Sequence, residues 1–298
     1  MTPVTRATTA GRAYLDLQNK ARRDGRTTDE LIALYALEGL LARLAAGRYA
    51  RQLVLKGGVL LAAFGDRRPT RDVDFAGLEL DNDAAHVLTV VQAVAATTPA
   101  LADGLEFDAA GAQAEVIRDT DEYAGVRVTM AVRLASSKTT FHVDVSIGDP
   151  IWPAPQTVAV PRLLAGPDIT VRGYPLEMAL AEKIVTAVQR GTASTRWRDY
   201  GDIWTLSRRH AVAGASLQEA ITRVAGHRQA ALAPLATVLA GYAPLAQAKW
   251  AQWRRKLRLE ALPAEFAETL AGCLSFADPV LRGEVAGKAW DPISGRWA

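Results

Sequence analysis

The sequence predicts an α/β (α+β) protein with a mixed sheet core, N-terminal helices and a C-terminal helical region. Apolar residues follow helical spacing in the first 50 residues, alternate with polar residues in the middle of the chain, and return to helical spacing near residue 175. The 298 residues are 49% hydrophobic and 22% charged, which allows a sizeable core and excludes collagen-like and low-complexity chains.

Two helices are predicted at the N-terminus. A helical segment over about residues 9–24 stops at Gly25, and Thr27 with Glu30 three positions later forms a capping-box pattern. A stripe of leucines at helical spacing then continues toward residue 47. The stripe consists of Leu31, Leu34, Leu37, Leu41 and Leu44.

A strand, a tight turn and a helix are predicted in that order next. The apolar residues 53–55 are typical of a short buried strand. Gly57 and Gly58 then predict a turn, and residues 59–64 predict the start of a helix. Backbone N–H groups at a glycine turn that opens a helix can bind an anion such as a phosphate.

Acidic side chains occupy the polar face of two predicted strands. Asp72 and Asp74 stand two positions apart, so a strand places both carboxylates on one face. Further on, residues 126–134 and 141–146 predict an antiparallel hairpin with Asp144 on its polar face. If the two acidic strands are neighbours, the three carboxylates can hold one or two Mg²⁺ ions that bridge phosphate oxygens.

The rest of the chain is predicted to be mainly helical. A helix near residues 83–97 separates the acidic strand from the hairpin, and helices are expected over about 175–190 and 195–206. Ala-rich helical segments continue to about residue 276. The tail from Pro279 onward is rich in Gly, Pro and Trp, which indicates an irregular segment.

Charge and cysteine content limit the class of protein. With 35 Lys and Arg against 32 Asp and Glu the net charge is +3, so nucleic acid is an allowed partner but not a required one. Cys273 is the single cysteine, which excludes an internal disulfide and fits a reducing cytoplasm. The first 20 residues have no apolar segment after their basic residues, so we do not expect them to be a secretory signal. Two prolines and many alanines in the charge-free stretch 229–248 favour packed soluble helices over a membrane span.

A segment near the C-terminus interleaves tryptophans with cations. Residues 249–258 carry Trp250 and Trp253 among five Lys and Arg residues. Such a segment can contact RNA phosphates while an aromatic ring stacks on an exposed base. The helical spacing favours the other interpretation, in which Trp250, Trp253 and Leu257 pack inward and the charges are solvated.

The glycine turn and the acidic strand together resemble a known family. Residues 56–58 (KGG) and 68–74 (RPTRDVD) are similar to motif I of the nucleotidyltransferase superfamily, specifically of the AbiEii-type toxins that include MenT-like toxins of toxin–antitoxin systems. Two later segments strengthen the resemblance: AEK at 181–183, and RWRDYGDI at 196–203, which is similar to the RxxDxxD segment of the family. The similarity covers residues 52–206, about half of the chain.

The resemblance implies a role for each matched residue. Gly57 and Gly58 would cradle the triphosphate of a nucleoside triphosphate. Asp72 and Asp74 would bind Mg²⁺, or Mn²⁺ in its place. Asp144 would be the third acid, which ligates the metal or takes the proton of the attacking hydroxyl.

The later motifs would add further site residues. Lys183 would contact the phosphates, and Asp199 would orient Lys183 or Arg198. The resemblance also implies that the nucleotide is bound by Lys56, Arg68, Thr70 and Arg198.

The resemblance implies a function as well. The implied reaction is the transfer of a nucleoside monophosphate to the 3′ CCA end of tRNA, with release of pyrophosphate. The implied protein is a cytoplasmic toxin that blocks translation and growth and has a cognate antitoxin protein. Two alternatives stay open: a small-molecule nucleotidyltransferase of the aminoglycoside type, and a catalytically silent binding module.

For the domains we expect packing helices in residues 1–50, the nucleotidyltransferase core in 51–174, and a helical region in 175–298 that completes the active site.

Overall fold

The computed structural model describes residues 3–119 and 123–298, which form two compact units. The first unit contains the chain up to Asp149 together with Pro155–Tyr174, and it combines a sheet with helices. The second contains Pro150–Ala154 and Pro175–Ala298 and is mainly helical. The predicted mixed α/β class is therefore confirmed.

The first unit begins with the two predicted helices, α1 (Thr9–Asp24) and α2 (Thr28–Ala46). Thr27 caps α2, because its hydroxyl accepts a hydrogen bond from the N–H of Glu30 at 3.2 Å. The leucine stripe of α2 is buried throughout. Both helices and the capping position are confirmed.

An eight-stranded mixed sheet forms the centre of the first unit. Its strands are β1 (Leu53–Lys56), β2 (Asp72–Gly77), β3 (Leu105–Phe107), β4 (Gln113–Asp119), β5 (Tyr123–Leu134), β6 (Ser137–Ile147), β7 (Gln156–Val160) and β8 (Ile169–Gly173). Neighbours run β3-β5-β6-β2-β1-β8-β7, and β4 pairs with β5. The predicted hairpin is confirmed as β5 and β6, while β2 pairs with β6 in parallel.

Two further helices lie between strands of this sheet. The helix predicted after the glycine turn is short: α3 (Gly57–Leu60) is followed by a 3-10 turn at Leu61–Phe64. Gly65 ends that turn with a positive φ of 78°, a conformation that glycine adopts readily. The predicted helix near 83–97 is confirmed as α4 (Ala84–Ala96).

A buried ion pair joins α2 to the segment before β3. Arg43 donates hydrogen bonds to both carboxylate oxygens of Asp103, and its Nη1 also donates to the carbonyl of Gly39 at 2.9 Å. The Tyr35 hydroxyl donates to the Asp103 carbonyl at 3.0 Å. The Arg43 and Asp103 side chains are only 7% and 8% exposed, so each buried charge is stabilised mainly by the opposite charge of its partner.

The second unit contains six α-helices, a 3-10 turn at Gly191–Ala193 and a small sheet within the described residues. The helices are α5 (Leu176–Arg190), α6 (Trp197–Ser207), α7 (Gly214–His227), α8 (Leu235–Val238), α9 (Tyr242–Lys256) and α10 (Phe266–Leu281). The sheet consists of β9 (Val212–Ala213), β10 (Ala289–Asp291) and β11 (Arg296–Trp297), in the order β11-β10-β9. No helix in the described part of the chain has the length and apolar character that crossing a membrane requires.

Tryptophans organise the C-terminal part of this unit. The interpretation of residues 249–258 as a packed helix is confirmed for Trp250, which is fully buried in α9 and donates from its indole to the Pro263 carbonyl at 3.0 Å. The prediction of an irregular tail is wrong where α10 continues through Pro279 to Leu281 and where β10 and β11 form a hairpin, while turns connect these elements. Trp290 of that hairpin is buried with its ring 4.9 Å from the ring of Phe276, which explains why the tail is ordered.

We predict that Asp103→Ala destabilises the first unit by about 3 kcal/mol or more, because the Arg43 guanidinium is left buried without its counter-ion. Urea unfolding measures the change. The matched control is Asp16→Ala, which breaks the Arg6–Asp16 pair, whose side chains are 54% and 43% exposed, and should cost less than about 1 kcal/mol. Equal losses in the two variants would contradict the prediction.

Candidate active site

Four charged side chains lie in one row across four neighbouring strands of the first unit. Lys56 on β1 is the register partner of Asp74 on β2. Asp74 in turn is the partner of Asp144 on β6, and Asp144 is the partner of Arg127 on β5. The β2–β6 pairing thus makes the two acidic strands neighbours, as the three-carboxylate prediction requires.

The glycine turn packs directly against this row. Gly57 has a φ of +65°, and a Cβ atom there would stand 1.9 Å from Oδ2 of Asp74. Only glycine fits, because both the backbone conformation and the space exclude a side chain. At Gly58 a Cβ would stand 3.3 Å from the Arg68 guanidinium, so the turn, the acid and a cation meet at one place.

The charge environment of Asp74 is unfavourable for its ionised form. Burial raises the pKa of Asp74, and the carboxylates of Asp144 and Asp72 add to the rise. Lys56 and Arg68 oppose it, and the resulting pKa is about 6. A group of acids that repel one another in this way is relieved by a bound cation.

The contacts of Asp72 fix the chain where it enters β2. The Thr70 hydroxyl donates to the Asp72 carbonyl at 3.2 Å and accepts from the Asp72 N–H at 3.3 Å. His142 on β6 is the register partner of Asp72, and its Nδ1 lies 3.0 Å from the hydroxyl of Thr129. The Thr70 hydroxyl therefore contacts the backbone of the predicted metal-binding strand.

An acid that the sequence analysis missed lies beside Lys56. Lys56 donates to Oδ2 of Asp149 at 2.7 Å, and the Ser146 hydroxyl donates to the same oxygen. The ammonium of Lys56 also lies 5.7 Å from the centre of the Tyr174 ring. The Asp149 side chain is 9% exposed. It follows β6 in a loop without periodicity, so only its charge next to a strand end could have drawn attention to it.

Asp144 is held by a second residue that the sequence analysis missed. Nε and Nη2 of Arg127 donate to the two oxygens of Asp144 at 2.8 and 2.7 Å. The alternation of β5 places Arg127 on the polar face, which is the signal that could have identified it.

The pair Asp72 and Asp74 fits a divalent cation. Both are part-buried carboxylates on one face of β2, and Mg²⁺ is commonly bound by one or two carboxylates together with substrate phosphates. A cluster of three acidic, His or Cys side chains suited to a metal ion is absent from the described residues. This agrees with the contact that Asp144 makes to Arg127.

The remaining predicted residues belong to the second unit. Lys183 on α5 donates to Asp199 at 3.1 Å and to Asp202 at 2.7 Å, and both acids on α6 are buried. Arg196 donates to the other oxygen of Asp199 at 2.6 Å, whereas Arg198 is exposed. Asp199 therefore orients Lys183, and its second partner is Arg196. Asp202 lies in the quoted motif, but no role had been predicted for it.

Asp199 is ionised despite its burial. Burial alone would raise the pKa of Asp199, but the charges of Lys183 and Arg196 and their hydrogen bonds outweigh it and hold the pKa well below the usual carboxyl range. The cluster therefore holds a charged lysine in a fixed position.

The fold has known counterparts. It is similar to the nucleotidyltransferase toxin MenT4 from Mycobacterium tuberculosis, with a TM-score of 0.53 and 21% identity over 96% of this chain and 99% of that chain. Two structures from Helicobacter pylori, one described as a nucleotidyltransferase and one as JHP933, match with TM-scores of 0.48 at 17% and 16% identity, over 86% and 85% of this chain and 96% and 95% of theirs. No curated protein matches the sequence. The fold is that of a nucleotidyltransferase.

The sequence gives the narrower identification. Residues 39–292 match the profile of the family described as Nucleotidyl transferase AbiEii toxin, Type IV TA system. The chain therefore belongs to the AbiEii family of nucleotidyltransferase toxins, and the resemblance noted in the motifs is confirmed. The match extends on both sides of the span that the motifs covered.

We predict that Gly57→Ala is more damaging than a glycine replacement at an open position with positive φ. Gly148 has a φ of +92° and nothing within 4 Å of a Cβ, so Gly148→Ala should cost about 1–2 kcal/mol of backbone strain alone. Gly57→Ala should cost more in urea unfolding because the new methyl meets Asp74. In an Asp74→Ala background this excess should shrink, because Oδ2 and Cγ, at 1.9 and 2.5 Å from the new methyl, are removed and only Cβ at 2.8 Å is left. An unchanged excess would show that the contact is not its cause.

The ionised Asp199 should stabilise the second unit in a pH-dependent way. Its folded pKa is depressed, so its contribution is present above about pH 4 and is lost as the pH falls through the lowered pKa. We expect the difference in unfolding free energy between wild type and Asp199→Asn to be constant above about pH 5 and to shrink below about pH 4. Urea unfolding at several pH values tests this.

The control for the pH experiment is Glu219→Gln, which removes an exposed ion pair with Arg223 in the same unit. It should change the unfolding free energy by less than about 1 kcal/mol at every pH. A wild-type advantage over Asp199→Asn that does not vary with pH would count against the account of Asp199.

Proposed function

We propose that this protein is a Mg²⁺-dependent enzyme that transfers a nucleoside monophosphate from a nucleoside triphosphate to the 3′ CCA end of tRNA. The observation that carries the catalytic part is the packing of Asp74 against Gly57, which brings the acidic strand and the glycine turn together. The tRNA acceptor rests on the resemblance to the family. The proposal includes a cognate antitoxin protein, a block of translation and a cytoplasmic location.

In the proposed mechanism the first unit binds the triphosphate. Asp72 and Asp74 would hold Mg²⁺, which would neutralise phosphate charge as it develops. Backbone N–H groups of Gly57 and Gly58 would donate to phosphate oxygens. The Arg68 guanidinium lies over this turn, and its planar fork suits a phosphate.

The transfer itself needs an acceptor oxygen, a leaving group and a destination for one proton. The acceptor hydroxyl oxygen bonds to the α-phosphorus, the bond from that phosphorus to the bridging oxygen of the β-phosphate breaks, and pyrophosphate leaves. Asp144 would accept the hydroxyl proton or serve as a further metal ligand. Lys183 would serve the same reaction as a fixed positive charge for the phosphates.

The direct test is incubation of the protein with Mg²⁺, total bacterial tRNA and each of the four α-labelled nucleoside triphosphates in turn. We expect label to enter tRNA and the signal to fall by at least about a hundredfold in Asp72→Asn, Asp74→Asn and Lys183→Met. Asp81→Asn is the matched control, because Asp81 follows β2 and its side chain is 87% exposed. It should keep full activity.

The other outcomes separate the alternatives. If tRNA stays unlabelled while an aminoglycoside becomes labelled, the acceptor is a small molecule. If no acceptor is labelled while the Asp72 and Asp74 variants keep the toxicity of the wild type in cells, the protein acts as a binding module and the enzymatic proposal fails.

A further inference from the structure

The guanidinium of Arg127 occupies both oxygens of Asp144. The two hydrogen bonds, 2.8 Å from Nε and 2.7 Å from Nη2, form the two-pronged arrangement in which a guanidinium fits a carboxylate. Because Asp144 is the register partner of Asp74, this contact lies next to the acids that fit a divalent cation. While the pair is closed, both oxygens of Asp144 are hydrogen-bonded to Arg127. A cation bound beside Asp74 then has a guanidinium nearby and lacks Asp144 as a third carboxylate ligand.

The exposure of this pair differs from that of the structural ion pair in the same unit. Arg43 and Asp103 are 7% and 8% exposed, whereas Arg127 and Asp144 are 32% and 17% exposed. Water therefore reaches the Arg127–Asp144 pair more easily than the Arg43–Asp103 pair and can hydrate both charged groups when the pair opens. The Arg127–Asp144 pair also lies on the polar face of the sheet and not in the apolar core, which allows the two side chains to separate.

The other cation of the row has a different partner. Lys56 donates to Asp149 at 2.7 Å, and that acid lies beyond the end of β6. Arg127, in contrast to Lys56 with its contact to Asp149, pairs with Asp144, which is an acid of the row itself.

We propose that Arg127 competes with the divalent cation for Asp144 and thereby sets the metal affinity of the site. Arg127 is a positioning residue, since it acts through Asp144. The inference rests on the proposed function, because that function requires a divalent cation at Asp72 and Asp74. Removal of the two-pronged contact should free Asp144 and strengthen metal binding.

The test measures Mn²⁺ binding to the full chain without nucleotide, by the electron paramagnetic resonance signal of free Mn²⁺. Arg127→Gln should bind Mn²⁺ roughly three- to tenfold more tightly than wild type. Arg127→Lys keeps the charge but loses the two-pronged contact, so its affinity should lie between the two. Arg133→Gln on the same strand is the control, because Arg133 is 63% exposed with Glu106 as its partner, and it should match wild type.

A double-mutant cycle isolates the role of Asp144. Asp144→Asn should bind Mn²⁺ more weakly than wild type, and adding Arg127→Gln to it should not restore the gain. Three results would overturn the proposal: unchanged affinity in Arg127→Gln, an Arg127→Lys variant that behaves as wild type, or a gain that persists without Asp144. The last two would indicate simple charge repulsion.

The readout separates this inference from the proposed function. Tighter Mn²⁺ binding in Arg127→Gln and Arg127→Lys, together with no nucleotidyl transfer by wild type, would support the competition and contradict the enzymatic proposal. Nucleotidyl transfer by wild type, together with unchanged Mn²⁺ affinity in both variants, would support the enzymatic proposal and contradict the competition. Absence of Mn²⁺ binding in wild type and all variants would overturn the competition.

Discussion

The packing of the Asp74 carboxylate against the backbone of Gly57 is the contact on which the candidate site depends. The missing side chain at Gly57 leaves the space that the carboxylate fills, and the positive φ turns the chain at the end of β1. Any larger residue would push the acidic strand and the turn apart. The sequence signature of the motif therefore has a simple physical origin, because the glycine turn and the Asp74 carboxylate share one small volume.

The sheet tolerates a charge arrangement that would otherwise be unstable. Backbone hydrogen bonds between β2 and β6 fix Asp74 beside Asp144, and this repulsion together with burial gives Asp74 a pKa of about 6. Lys56 and Arg127 flank the two acids and offset part of the cost. Unfavourable local charge held in place by a rigid scaffold is typical of functional sites. In the second unit Asp199 is the opposite case. Burial raises its pKa, but the neighbouring cations Lys183 and Arg196 lower it by more.

Local patterns predicted much of the fold because each depends on a short stretch of chain. The period of two in β5 and β6 gave the hairpin and the face of Asp144, and the leucine stripe gave α2. From the sequence, the parallel pairing of β2 with β6 could only be assumed. Pairing between strands that are distant in the chain produces no periodic pattern in the sequence. The same limit explains why Asp149 and Asp202 were missed as partners, because their contacts span 93 and 19 positions. The ordered tail depends on the burial of Trp290, which a composition rich in Gly and Pro conceals.

The most direct test of the central claim is where metal and nucleotide bind. Crystals grown with Mn²⁺ and a non-hydrolysable nucleoside triphosphate analogue would locate the metal by its anomalous scattering. The account predicts Mn²⁺ at about 2.1 Å from carboxylate oxygens of Asp72 and Asp74, with triphosphate oxygens at the N–H groups of Gly57 and Gly58. Metal and triphosphate bound elsewhere on the chain, with these four residues uncontacted, would contradict it.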